Sequence, residues 1–426
     1  MLVTADVARE RRAVRGDFVK FWAGQTTSNL GSAFTLFALP LLVFTLTGSP
    51  LNLGVTMATS YLPYLLFGLV LGAWVDRVDR KRLMIATDLA RAAVIALLPV
   101  LADLGLLRVW WVYAIAFVHA SLAIAFDTAE FAAIPSLVER KQDLVAANGR
   151  IQASYSAAQV AGPLLAGLLL AVVSVEQVFL VDAASFVVSA VSLAAIRRRF
   201  NLEADSAGER GTIRAAIAQG LRYVFGHPVL RSISVMMALI NLVLTTSYAQ
   251  LVVFAKQRLG ASDPQVGFLY AAGSVGVVVL SLAAGRLRRR LPFSRVALGV
   301  LMLDGVLLVA MGLTRWYWLG LLLWAAVSGL GILFNINTAS LRQQVTPNEL
   351  LGRVLSVATL LGSSAIPLGT VLGGWAVQRS GDVALVYRVI GVTVAAVALA
   401  FSFSPVGRAE RYLAAEEASP AERTAE

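Results

Sequence analysis

Seven titratable side chains stand inside long apolar stretches of this chain: Asp88, Arg91, His119, Asp127, Glu130, Asp182 and Asp304. In such surroundings a carboxylate or an imidazole can bind and release a proton, and a guanidinium can hold a counter-charge. Asp88 and Arg91 are three residues apart, as are Asp127 and Glu130, so each pair shares one side of a helix. The chain offers little other chemistry. It has no cysteine, which excludes disulfides, thiolate catalysis and Cys-bound metals. His-Glu-x-x-His, Gly-x-Ser-x-Gly and Gly-x-x-x-x-Gly-Lys-Ser/Thr are absent, which argues against a membrane-embedded hydrolase and against nucleotide hydrolysis. No cofactor or metal is expected, and any work the chain does must draw on an ion gradient.

The elements that carry these residues follow from composition. Of 426 residues, 58% are hydrophobic and 14% charged, against roughly 25% charged in a soluble protein. Between Lys20 and Asp76 there is no Asp, Glu, Lys, Arg or His. About 20 apolar residues in a helix cross the bilayer's hydrocarbon core, and helices satisfy their own backbone where no water can. The expectation is an all-α polytopic membrane protein with twelve spans, near 21–46, 51–74, 83–101, 110–134, 151–174, 178–196, 230–256, 265–285, 296–313, 316–341, 354–377 and 386–404. Thr47-Gly48-Ser49-Pro50 and Ser380-Gly381-Asp382 supply turn chemistry between spans. The first span has no small-residue cleavage pattern and is expected to be an uncleaved anchor.

Basic residues assign the orientation. With the N-terminus inside, 29 of the 36 Lys and Arg fall in inner segments, Arg342 and Arg353 among them, six fall outside, and Arg91 lies within a span. That bias places both termini in the cytoplasm and the net charge of +11 against anionic lipids rather than nucleic acid. The expected segments are a cytoplasmic N-terminus (1–20), a six-helix bundle (21–196), a cytoplasmic linker with an amphipathic helix (197–229), a second six-helix bundle (230–404) and a cytoplasmic tail (405–426). The halves echo each other weakly: Gly149-Arg150 and Gly352-Arg353 open spans five and eleven, and Pro163 and Pro367 follow. Such internal symmetry suits two repeats that rock about a central site.

After the second span the chain reads Gly72-Ala73-Trp74-Val75-Asp76-Arg77-Val78-Asp79-Arg80-Lys81-Arg82, and the second half has Gly285-Arg286-Leu287-Arg288-Arg289-Arg290 at the equivalent place, without the acid. The first run resembles the cytoplasmic signature of the major facilitator superfamily, Gly-x-x-x-Asp-Arg-x-Gly-Arg-Arg, with Asp79 where the family has a second Gly. That variant is similar to the macrolide-efflux and siderophore-exporter branch. Gly149, Ala158, Gly162-Pro163 and Ala166-Gly167 match the spacing of the family's antiporter motif, with Ala at two Gly positions. Small residues four apart also let helices approach closely in ordinary membrane packing. Ala133-Ile134-Pro135-Ser136, Phe179-Leu180-Val181-Asp182 and Gly352-Arg353-Val354 resemble the same branch. The family's mid-span-four arginine motif is missing; His119-Ala120-Ser121-Leu122-Ala123 stands nearest, so proton coupling through that arginine does not carry over.

The resemblance implies a cytoplasmic lock joining Asp76, Arg353 and Glu130 or Asp127. It also implies a central cavity from spans one, four, seven and ten. Polar residues available to that cavity are Gln25, Asn29, Gln159, Asn241, Asn335 and Asn337, with Tyr61, Tyr64 and Tyr248; each could equally bond helix to helix. Asp88 and Arg91 are expected to pair along one helix. His119 is expected to bond a neighbouring helix, with a proton-carrying or substrate role as the alternative. Proton-coupling candidates are Asp127, Glu130, Asp304 and His119. Asp182, with Arg388 as its counterpart in span twelve, is expected to be structural, and His227 to punctuate the start of span seven. The function so implied is export of a drug-like or secondary-metabolite molecule by proton antiport, from a monomer in a bacterial cytoplasmic membrane. The alternatives are a lysophospholipid flippase on the same fold and, further off, an embedded enzyme or a channel.

Overall fold

Apolar runs punctuated by glycine, proline and capping acids dictate the helices of the computed structural model, which describes residues 2–75, 77–138, 140, 143–201, 213–290 and 292–410. In chain order they are α1 (Leu2–Thr47), α2 (Pro50–Val75), α3 (Arg80–Asp103), α4 (Val109–Ala133), α5 (Leu144–Leu169), α6 (Val175–Ala194), α7 (Ile213–Gly226), α8 (Pro228–Ala249), α9 (Leu251–Val253), α10 (Asp263–Arg290), α11 (Phe293–Leu313), α12 (Tyr317–Gln344), α13 (Asn348–Ser380) and α14 (Val383–Ser402). Among the described residues every regular element is helical. Asp79 caps α3 by accepting from the Arg82 backbone N–H, and His227 and Asp382 cap α8 and α14 in the same manner. Gly381 ends α13 at φ 65°, a left-handed conformation that glycine adopts without a Cβ penalty.

Ten helices among the described residues are long and apolar enough to cross a membrane: those built on α1, α3, α4, α6, α8 and α10–α14. Two further helices, α2 and α5, are each 26 residues long. Span seven is not one continuous helix. α8 stops at Gln250, and the chain resumes as α9 and a wide turn over Phe254–Arg258.

The chain forms two units. The first comprises Met1–Asn52, Thr56–Ser206 and Ser262–Ala271; the second comprises Leu53–Val55, Ala207–Ala261 and Ala272–Glu426. In the first, α1 packs on α5 and α6, and α3 packs on α4 and α6. In the second, α14 packs on α8 and α11, with α8 also on α13 and α11 also on α12, so the same neighbour pairs recur. Close approach is secured by small residues. A Cβ on Gly24 would press on Ser192, and one on Gly305 would overlap the Gly391 backbone. At one end of the first unit Phe21, Met84, Phe126, Leu137, Leu193 and Phe200 form a buried cluster that joins α1, α3, α4 and α6.

Candidate functional site

In the first unit the intramembrane charges converge on Arg91. Asp88 and Arg91 lie one turn apart on α3, and Arg91 Nη1 stands 3.7 Å from Asp88 Oδ1, with the two side chains 8% and 0% exposed. The guanidinium carbon sits 4.0 Å from the Phe186 ring centre and 5.5 Å from that of Phe126, so α6 and α4 hold it between aromatic faces. Asp127, Glu130 and Asp182 are all within electrostatic reach of Arg91. Both Asp88 carboxylate oxygens and Glu130 Oε1 are buried without a hydrogen-bond partner. Four carboxylates on three helices therefore share one base. The expected Asp88–Arg91 pair is present, but as part of this larger group.

Asp182 is satisfied differently. Thr35 Oγ1 of α1 donates to it at 2.5 Å and Ser185 Oγ at 3.3 Å, which fits the structural role expected of it. Arg388 pairs with Asp382 at 3.4 Å. His119 Nε2 is buried and makes no hydrogen bond; the ring instead lies 5.7 Å from Phe186. The bond to a neighbouring helix expected of His119 is thus not made by that nitrogen, because the ring faces an aromatic side chain.

Polar residues divide into interhelical bonds and open surface. Gln25 Nε2 donates to Ser189 Oγ at 3.2 Å, Asn241 Nδ2 to the Gly362 carbonyl at 2.9 Å, and Asn337 Nδ2 to the Phe293 carbonyl at 3.2 Å. Asn29 and Gln159 are half-buried and Asn335 is exposed. Tyr61 and Tyr64, with ring centres 6.5 Å apart, are exposed on α2. Tyr64 is within electrostatic reach of Asp127, and both tyrosines are within reach of exposed Tyr155 on α5. Tyr155 escaped the sequence reading, although it lies one turn before Gln159 on the same helix. In the second unit Tyr248 meets Trp324 edge to face at 4.8 Å, and Asp304 is buried with Oδ1 unpaired.

The small-residue stretch of α5 is a packing surface. A Cβ on Gly162 would overlap Ala33 of α1, and one on Gly267 of α10 would come 2.8 Å from the Gly167 Cα and the Pro163 carbonyl. Ala158 and Ala166 are buried, while Gly149 has nothing within 4 Å of a Cβ position. Asp76 lies outside the described residues, as do the side chains of Gly72 and Gly352. Arg77 is exposed, Arg80 donates to the Ala132 carbonyl, and the exposed Arg353 donates to Gln219 of α7. Arg342 sits in the last turn of α12, which runs on to Gln344, and is 6% exposed.

A cavity of about 530 Å³ lies among α2, α3 and α4, between Phe67, Trp74, Leu83 and Leu122. Its polar wall residues, Thr87 and Ser121, bond to their own helices. No group of His, Asp and Glu among the described residues could hold a metal ion.

Comparison with known proteins agrees with this arrangement. The family model for the Major Facilitator Superfamily matches residues 21–370. Macrolide efflux protein A of Streptococcus pyogenes is 28% identical over 380 residues, 85% of this chain and 90% of that protein. The multidrug efflux pump Tap of Mycolicibacterium fortuitum is 28% identical over 383 residues, 86% and 90% of the two chains. Among solved structures, a mutant of the nucleoside transporter NupG superimposes with a TM-score of 0.79 at 11% identity, covering 90% of this chain and 98% of its own. A bacterial homologue of the iron transporter ferroportin gives 0.66 at 17% identity, covering 91% and 98%. At those identities the solved structures establish the fold alone. Buried charges on apolar helices, a repeated helix pairing and the match over most of the length have one explanation: the chain belongs to the Major Facilitator Superfamily and is a multi-pass membrane transporter, not an enzyme.

Proposed function

We propose that this transporter exports an amphipathic, drug-like or secondary-metabolite molecule from a bacterial cytoplasm in exchange for protons, by alternating access of twelve spans with both termini inside. The observation that carries the reading is the group around Arg91, where Asp88, Asp127, Glu130 and Asp182 share a single base. Unpaired charge at bilayer depth costs about 2.5–3.5 kcal/mol per group on insertion scales, so a bound proton is the economical neutraliser. Glu130 and Asp127 sit on α4 toward its last turns, where helix movement can expose them to one side of the membrane and then the other. Direction is supported by efflux relatives and by the close-packed face of α5. Tyr61, Tyr64 and Tyr155 offer flat, amphipathic surface beside Asp127, which suits a bulky substrate with few charges.

Everted membrane vesicles test this directly. With respiration on, vesicles bearing the chain should accumulate a member of a panel of macrolides, siderophores and lysolipids, and a protonophore should abolish the accumulation. Uptake that survives the protonophore would overturn proton coupling. The cavity among α2, α3 and α4, apolar apart from Thr87 and Ser121, favours lipid flipping as a second reading. A response confined to the lysolipid arm would select it.

A further inference from the structure

The turn between α2 and α3 and the start of α3 carry Arg77, Arg80, Lys81 and Arg82, and the fold divides these bases into two kinds. Lys81 Nζ donates to the Ala194 and Ile196 carbonyls at the end of α6, and Arg80 Nη1 donates to the Ala132 carbonyl of α4. Those two are engaged by the backbone of their own unit. Arg77 and Arg82 are exposed instead. Arg82 Nε stands 3.8 Å from Asp79 Oδ2, but with the side chains 89% and 53% exposed that pair is screened and contributes little.

Both exposed arginines leave the chain at the end of the α2–α3–α4 cavity nearest this turn. The Arg77 backbone N–H donates at 3.0 Å to the carbonyl of Trp74, which lines the cavity. Arg82 immediately precedes the wall residue Leu83 and lies one turn, about 6 Å, before Ala86, an exposed wall residue on the same side of α3. Small residues one turn apart, Ala86 and Ala90 on α3 and Ser121 and Ala125 on α4, form a narrow floor. They leave a volume of about 530 Å³, within the range of pockets that hold an organic ligand. The Thr87 and Ser121 hydroxyls are bonded to their own helices, so the wall presents hydrocarbon. Trp74 is 46% exposed, an indole placed as such rings are where acyl chains meet headgroups.

We propose that the cavity and the α2–α3 turn together bind one acidic phospholipid, with an acyl chain lying along Ala86 and Ala90 and the headgroup phosphate held by Arg77 and Arg82. A hydrocarbon slot that ends beside an interfacial indole and two exposed guanidinium groups is complementary to a chain that carries a phosphate. The planar arginine fork meets that phosphate through two donors at once. The inference is independent of the cargo and of the direction of transport.

Trp74 itself reports the test, because bromine on an acyl chain quenches an indole only at short range. The full chain is placed in phosphatidylcholine nanodiscs with a rising fraction of either brominated phosphatidylglycerol or brominated phosphatidylcholine. The chain has eight tryptophans, so the Trp74 signal is read as the difference between the parent and Trp74→Phe. Half-quenching by the acidic lipid should need a fraction at least about fivefold lower than by the zwitterionic one, the preference that a single base near the surface confers. Arg77→Gln combined with Arg82→Gln should erase the preference, and so should Ala90→Phe, which fills the floor. Arg295→Gln, which removes an exposed arginine of the second unit, should keep it. Unchanged emission from the other tryptophans shows that each variant keeps its fold. Equal quenching of the parent by the two lipids, a preference that survives the double variant, or equal loss in Arg295→Gln would overturn the proposal in favour of diffuse attraction. Recovery of Trp74 emission with millimolar glycerol phosphate would assign the arginines to a free anion and overturn it as well. Vesicle export plays no part in the readout, so failure of the export reading leaves the lipid site standing, and the reverse.

Discussion

Arg91→Met is the perturbation that asks most of the structure. Methionine keeps the length of the side chain and some affinity for Phe186 and Phe126, so the change removes charge more than volume. At the observed 3.7 Å, with an effective dielectric of about 20, the Asp88–Arg91 attraction is about 4.5 kcal/mol. Desolvation offsets part of that in the intact pair, but removal of one partner strands the other, and breaking a buried pair costs about 3–5 kcal/mol. The ring contacts contribute up to about 2 kcal/mol when the cation is shielded from water, part of which the methionine sulfur retains. The expected loss is therefore about 3–5 kcal/mol, read by reversible unfolding in mixed dodecylmaltoside and dodecylsulfate micelles. Adding Asp88→Leu should recover about half of it, because a stranded carboxylate rather than a cavity is the main cost. A single-variant loss below about 1 kcal/mol, or a double variant no more stable than Arg91→Met, would refute the reasoning.

Other consequences are simpler. Gly267→Leu should lower stability by about 1–3 kcal/mol and depress export, because the side chain must enter the Gly167 and Pro163 backbone, whereas Gly149→Ala should match the parent in the same vesicle assay. Thr35→Val should cost about 1–3 kcal/mol in micelle unfolding, since Asp182 loses its 2.5 Å donor while remaining fully buried. Glu130→Gln should abolish the protonophore-sensitive accumulation in vesicles, whereas Asp304→Asn, in the second unit, should leave that accumulation and its sensitivity intact.

Much of the architecture was legible because a bilayer allows so few solutions. An apolar run of span length must be a helix, and Gly381, Asp382 and Pro228 mark where such runs stop and restart. Helix spacing also placed Asp88 beside Arg91 and Asp127 beside Glu130. It could not show that α3, α4 and α6 bring both pairs to one arginine, because periodicity along a helix says nothing about its rotation against a neighbour. Arg342 shows the same limit: its place at the end of an apolar run is legible along the chain, but its burial depends on the segments packed over it.

Composition and spacing by themselves determined the helical class, the repeated halves and the identity of the rare charged residues, since each is a local property of the chain in an apolar solvent. Which polar groups were satisfied depended on packing between segments far apart in sequence. Gln25, Asn241 and Asn337 found backbone or hydroxyl partners on other helices. Asp88, Glu130 and Arg342 kept atoms without partners. That division could be settled only in three dimensions, because a hydrogen bond or an ion pair depends on ångström distances between helices that the order of residues does not encode.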